Sequence, residues 1–154
     1  MKSRAYRATR VNDVNWDQVA RGKEGLGIAL GIDVGKYDLW LDEWEKAAAL
    51  SNDADLLAVS KAARAEFAKG GYRAAIKRAA EVLQEQSKRV YIDPAIIAGD
   101  YGVLGDKDKA FFWLEKSFAE KSDLLRILKS SSYFDSLRSD PRYANILRRM
   151  NLPQ

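Results

Sequence analysis

The sequence predicts an all-α protein made of stacked antiparallel helix pairs, and three observations predict it. Glycines stand 35 residues apart at Gly35, Gly70 and Gly105. Behind each follows the same kind of amphipathic stretch, in turn GKYDLWLDEWEKAAAL, GGYRAAIKRAAEVL and GDKDKAFFWLEKSF. Helix-start signals stand at Asp93–Pro94 and Asp140–Pro141, where a carboxylate caps free N–H groups and a proline ring costs nothing in the first turn. A period near 34 with a small residue at the turn is the mark of helix-turn-helix repeats, in which each unit buries its apolar face against its neighbours.

Residues 1–34 form an N-terminal extension or an imperfect first helix. A helix would occupy roughly residues 16–33, yet GKEGLGIALGIDVG holds five glycines in 14 residues. Each costs about 1 kcal/mol relative to alanine inside a helix, so a strand or an irregular segment over Leu26 to Val34 is the alternative. Residues 35–122 carry the repeats. After Gly35, one helix face gathers Tyr37, Trp40, Leu41, Trp44, Ala47 and Ala48. In the second unit Leu56, Val59, Ala63 and Phe67 make one stripe before Gly70, and Tyr72, Ala75, Ala79 and Leu83 make another after it. The third unit has Ile97, Tyr101 and Leu104 before Gly105, then Ala110, Leu114 and Phe118, with Asp106 placed to cap. Alanines at equal depth, Ala63 with Ala98 and Ala75 with Ala110, predict close helix approach. Residues 123–154 read as capping helices: SDLLRILKSSS a short helix, YFDSL a turn, and a last helix with Tyr143, Ile146, Leu147 and Met150 inward.

Composition narrows the chemistry. Among 154 residues there is neither cysteine nor histidine, which removes disulfides, thiolates, the commonest general base and the commonest metal ligand. No catalytic set, metal site or cofactor is expected. The longest apolar run, Leu26 to Ile32, is far short of the ~20 residues a spanning helix needs, and the basic start MKSRAYRATR lacks a prompt apolar core behind it. A cytoplasmic protein is the expectation. Net charge is +4, with residues 36–122 nearly neutral and the basic excess at the two ends, so the repeats themselves are not expected to grip nucleic acid.

With LQEQSKRVYIDP, YGVLGDKDKAFFWLEKSFAEKSD and FDSLRSDPRYANILRRMNLP in view, the chain from about Lys36 to Gln154 resembles tetratricopeptide repeat proteins, and within them a C-terminal module of bacterial multi-repeat proteins. The resemblance implies a right-handed solenoid that binds a peptide or protein on its concave face. The family's turn glycine corresponds to Gly70 and Gly105. Its first-helix glycine is replaced by Ala63 and Ala98, its late aromatic is Tyr101, its second-helix alanine is Ala75 and Ala110, and Ser122 stands where proline is usual. Counted from the turn glycine, the implied partner-binding residues are Leu57, Ser60, Arg64 and Phe67, then Ile92, Ala95, Gly99 and Val103. The family's carboxylate clamp of lysine and asparagine is missing, because Ser60, Arg64, Ala95 and Gly99 hold those places. Trp113, beside the stripe of Ala110 and Leu114, is expected to be partly exposed and is a further contact candidate, whereas Trp40 and Trp44 are expected to fill the core.

The first 40 residues resemble the opening of an insertion-sequence transposase with an RNase H-like domain, where a GIDVGK strand carries a catalytic carboxylate, here Asp33. The remaining acidic residues have no counterpart downstream, so metal-dependent DNA cleavage is not expected. The expected function is a non-catalytic interaction scaffold. Two alternatives stand beside it: association with nucleic acid through basic termini, including Arg126, Lys129, Arg138, Arg142, Arg148 and Arg149, or a transposase-derived N-terminal fusion without activity; self-association through the N-terminal edge is a further partner reading.

Overall fold

The computed structural model describes residues 37–151, and among the described residues every regular element is helical. Helix α1 (Tyr37–Leu50) buries Leu41 and Ala48 completely and leaves Tyr37, Trp44 and Ala47 half-buried. It stops at Asn52, whose φ of 52° is the left-handed conformation asparagine tolerates. The next helical segment, Ala54–Ser87, begins under Asp53, whose carboxylate accepts the N–H groups of Asp55 and Leu56.

That segment is two helices. Gly70 (φ −140°, ψ 16°) and Gly71 (φ 69°, ψ −166°) leave helical geometry, separating α2 (residues 54–69) from α3 (residues 72–87). The reversal is evident from contacts at the far ends. Gln86 Nε2 donates to the Asp55 carbonyl at 2.9 Å, and the Arg89 guanidinium meets the Asp55 carboxylate. A straight helix would hold Asp55 and Arg89 about 50 Å apart, so α2 and α3 run antiparallel. Val59, Ala63, Ala75, Ile76 and Ala80 have no exposed surface, which is the close packing the alanines predict.

These helices belong to one compact unit that ends at Ile92, and a second begins at Asp93. In the second, α4 (Pro94–Leu104) starts with Asp93 accepting the Ala95 N–H and ends at Gly105, φ 75°. There the Asp106 N–H reaches the Tyr101 carbonyl and the Gly105 N–H the Gly102 carbonyl, both 3.0 Å, a left-handed glycine cap that gives two carbonyls of the last turn their partners. Asp106 then caps α5 (Lys107–Ala119) as expected. At the open end of this pair, Asp93 also accepts the hydroxyl of Ser122, with Ser117 at 3.5 Å. Ser122 thus ties the α4 start to the α5 exit, and its hydroxyl oxygen caps the next turn by accepting the Leu124 N–H.

Two 3₁₀ turns, η1 (Asp123–Ile127) and η2 (Ser132–Leu137), lead to α6 (Pro141–Arg149), capped by Asp140 with Pro141 in its first turn. The stretch expected as a short helix is η1, and the expected turn YFDSL lies within η2. Tyr143, Ile146 and Leu147 point inward and Met150 is only half-buried. Leu128, Leu137 and Ile146 are fully enclosed, each contributing about 1.5–3 kcal/mol of apolar transfer. The Tyr143 hydroxyl, carried inward with its ring, donates to the Leu128 carbonyl at 2.9 Å.

Candidate functional site

The expected binding stripe on α2 separates into two classes. Leu57, Arg64 and Phe67 are half-buried, but Ser60 is wholly enclosed and its hydroxyl donates to the Leu57 carbonyl at 3.0 Å. Ser60 is therefore corrected from a groove residue to a packing residue. Arg64 already has partners: its guanidinium reaches Asp42 and, at 3.3 Å, Glu45, both on α1. A salt bridge in this half-exposed setting is worth under about 1 kcal/mol. It fixes where the cation points, and it leaves Leu57 and Phe67 as the apolar pair on that side.

On α4 the expectation fails for a specific reason. Ala95 and Gly99 are buried, as is Ile92 just before the helix, and only Val103 is half-exposed. The chain's own η2 occupies this helix. A Cβ on Gly99 would stand 3.2 Å from Tyr133 Cδ1, and one on Gly102 would stand 2.2 Å from the Tyr133 carbonyl oxygen. Ser136 Oγ closes the contact by donating to the Gly102 carbonyl at 2.6 Å. Two glycines thus form a notch that takes a segment of the same molecule, and neither is open to a partner.

Trp113 is also corrected. It is buried, at 9% exposure, whereas its neighbour Phe112 is 66% exposed and meets the Trp113 ring edge-on at 5.4 Å. One residue is a turn of about 100° around a helix, so the exposed aromatic of α5 lies one place away from the one expected. Phe112 borders an open cleft of about 540 Å³ lined by Asp108, Phe111, Phe112, Glu115, Lys116 and Arg142.

Three of the basic residues near the C-terminus are held by partners within the chain. Arg142 bridges Asp108 (2.8 Å) and Asp140 (2.9 Å) with its guanidinium 4.3 Å from the Phe111 ring centre. Arg149 meets Glu115 at 2.7 Å and lies 4.2 Å from Phe118. Arg138 donates to Asp135 at 2.7 Å. The hydrogen bonds from Arg142 depress the Asp140 carboxyl to about 2, keeping the α6 cap ionised. Arg126, Lys129 and Arg148 are exposed.

Contacts recur between residues one period apart. The Tyr37 and Tyr72 rings stack at 4.0 Å, with 8° between their planes, across 35 positions. The Asp108–Arg142 and Glu115–Arg149 pairs each span 34. The caps of α5 and α6, Asp106 and Asp140, keep the same offset. Two carboxyl oxygens inside the second unit, Asp100 Oδ2 and Glu120 Oε2, are enclosed with no hydrogen-bond partner among the described residues, and of these two residues Asp100, on α4, is the buried one. Burial pushes its carboxyl up to about 8, so it is largely protonated at neutral pH.

Among the described residues, no three acidic side chains come together in a way that would hold a metal ion, and no helix is long and apolar enough to cross a membrane. Asp33, Gly35, Trp16, the side chain of Trp40 and the N-terminal edge lie outside the described residues. No family model, curated protein or solved structure matches the chain.

Proposed function

We propose that the chain is a non-catalytic protein-interaction scaffold, a solenoid of helix pairs of the tetratricopeptide type, that takes an extended peptide segment of a protein partner along the half-buried stripe of Leu57, Arg64 and Phe67 on α2. The observation that carries this reading is the register of contacts. In a stack of like units, residue i and its counterpart one repeat later occupy neighbouring places, which is how Tyr37 meets Tyr72 and how Asp108 and Glu115 meet Arg142 and Arg149. On α2, Leu57 and Phe67 supply apolar contact, and Arg64, oriented by Asp42 and Glu45, supplies a cation of fixed direction. The intact chain is the reagent for the test: peptides are selected on it from a displayed library, and their affinity is then measured for a Leu57→Ala/Phe67→Ala double variant. Loss of about tenfold or more, about 1.4 kcal/mol, with unchanged helicity is expected. Peptides that bind the double variant as they bind the wild type would overturn the reading. Salt-sensitive retardation of DNA by the same preparation would favour the basic-terminus alternative instead.

A further inference from the structure

Helix α5 presents one ordered stripe to solvent: Asp108, Lys109, Phe112, Glu115 and Lys116, all exposed. Outward from Phe112, the charges are self-complementary. Four residues before it is Asp108 and four after is Lys116; three before is Lys109 and three after is Glu115. We infer that this face is the docking surface for a second copy of the chain, with α5 packed antiparallel on its counterpart about a two-fold axis at Phe112. An isologous contact requires that each residue meet the one at equal distance on the other side of the axis. Asp108 then faces Lys116 of the other copy and Lys109 faces its Glu115, so all four charge contacts are attractive. A parallel alignment in register would set each charge against itself, so the pattern selects one orientation.

The centre of the contact has the chemistry such an interface needs. Phe112 is the one large exposed aromatic on the stripe, and an open cleft beside it, lined also by Phe111 with the Arg142 guanidinium over its ring, leaves space next to it for the opposing ring. A central aromatic ringed by polar groups is the usual arrangement of an energetic anchor. The rim charges have internal contacts: Asp108 with Arg142, Glu115 with Arg149, Lys109 with Asp106, and Lys116 over the Trp113 ring at 4.9 Å. They retain room for a second partner, since the side chains of Asp108 and Lys109 are 91% and 60% exposed. One helix face buries less than a permanent dimer does, so the dimer is a reversible one whose population rises between about 10 μM and 1 mM chain.

Sedimentation equilibrium of the full chain over that range is the first measurement. Phe112→Asp should weaken the dimer at least about tenfold while leaving the melting curve in place, because Phe112 contributes little to the core. Lys109→Glu/Lys116→Glu should be monomeric alone and should associate when mixed with Asp108→Lys/Glu115→Lys. The second of these variants also loses the ties to Arg142 and Arg149, so an independent probe of orientation is needed. The cysteine-free chain supplies it: Asp108→Cys mixed with Lys116→Cys should oxidise to the mixed disulfide in preference to either homodimer. A wild-type chain that stays monomeric at about 1 mM would overturn the proposal and leave the face to an unrelated partner. So would a dimer indifferent to Phe112→Asp, or homodisulfides outnumbering the mixed product.

Discussion

The two helical hairpins reach the same antiparallel arrangement by different means. In the first, the chain turns through Gly70 and Gly71, with Gly71 at φ 69° and ψ −166°, a region essentially closed to residues with a Cβ. In the second, one left-handed glycine, Gly105, ends α4 with two backbone hydrogen bonds to the Tyr101 and Gly102 carbonyls. Their open ends differ too. The first is closed by a solvent-facing ion pair between Asp55 and Arg89 together with Gln86, the second by the Asp93 carboxylate gripping hydroxyls of Ser117 and Ser122. A repeat pattern therefore specifies where the backbone must reverse, and leaves open the chemistry by which it does so.

The contrast sharpens most at α4, the helix enclosed on nearly every side. Gly102→Ala would drive a methyl into the Tyr133 backbone, so a loss of about 3 kcal/mol or more is expected in urea titration; a loss below about 1 kcal/mol would show that η2 yields easily. At the turns, Gly71→Ala should cost about 1–3 kcal/mol and Gly105→Ala about 1 kcal/mol. Neither added methyl meets a neighbour within 4 Å, so the difference isolates backbone strain, and equal costs would erase the distinction between the two reversals.

Asp100 makes the second hairpin pH-sensitive. Its carboxyl titrates near 8 when folded and near the ordinary carboxylate value when unfolded, so between about pH 4 and 8 the folded chain holds the extra proton. Stability from this group is present at the acid end of that window and is lost as pH rises through it. Asp100→Asn, which carries no charge, should be more stable than wild type at pH 9 by about 1–3 kcal/mol, with the gap narrowing toward pH 5. A gap that does not change with pH would refute the assignment. The smallest effect belongs to the first hairpin's closure: Arg89→Ala should cost less than about 1 kcal/mol and less still in 1 M salt, where exposed pairs are screened.

Much of the backbone plan was legible from residue types alone. Gly70 and Gly105 mark real reversals, Ala63, Ala75, Ala98 and Ala110 are fully buried, and Asp93, Asp106 and Asp140 cap the helices they precede. The glycine turns and the caps are local signals, satisfied within a few residues of themselves, and the alanines need only the adjacent helix of the same hairpin. The surface was read less well, because exposure depends on what a distant segment covers. Counting from Gly105 puts Gly99 on a face, but only the fold lays Tyr133 over it. Trp113 is expected at the surface and is buried for a different reason: adjacent residues on a helix differ by a large rotation, and the stripe of Ala110 and Leu114 does not say which side of it is covered, so the exposed aromatic is Phe112. The alternation of Asp108, Lys109, Glu115 and Lys116 around Phe112 was present in the sequence throughout, and its meaning depended on finding all five exposed.

The ring stack, the ion pairs and the hydroxyl contacts described above join residues no more than 35 positions apart. Helical hairpins closed by such short spans give up little loop entropy at any one step, because the cost of closing a loop grows with its length. Each hairpin can therefore close on contacts of its own, without waiting for segments far away in the sequence to meet.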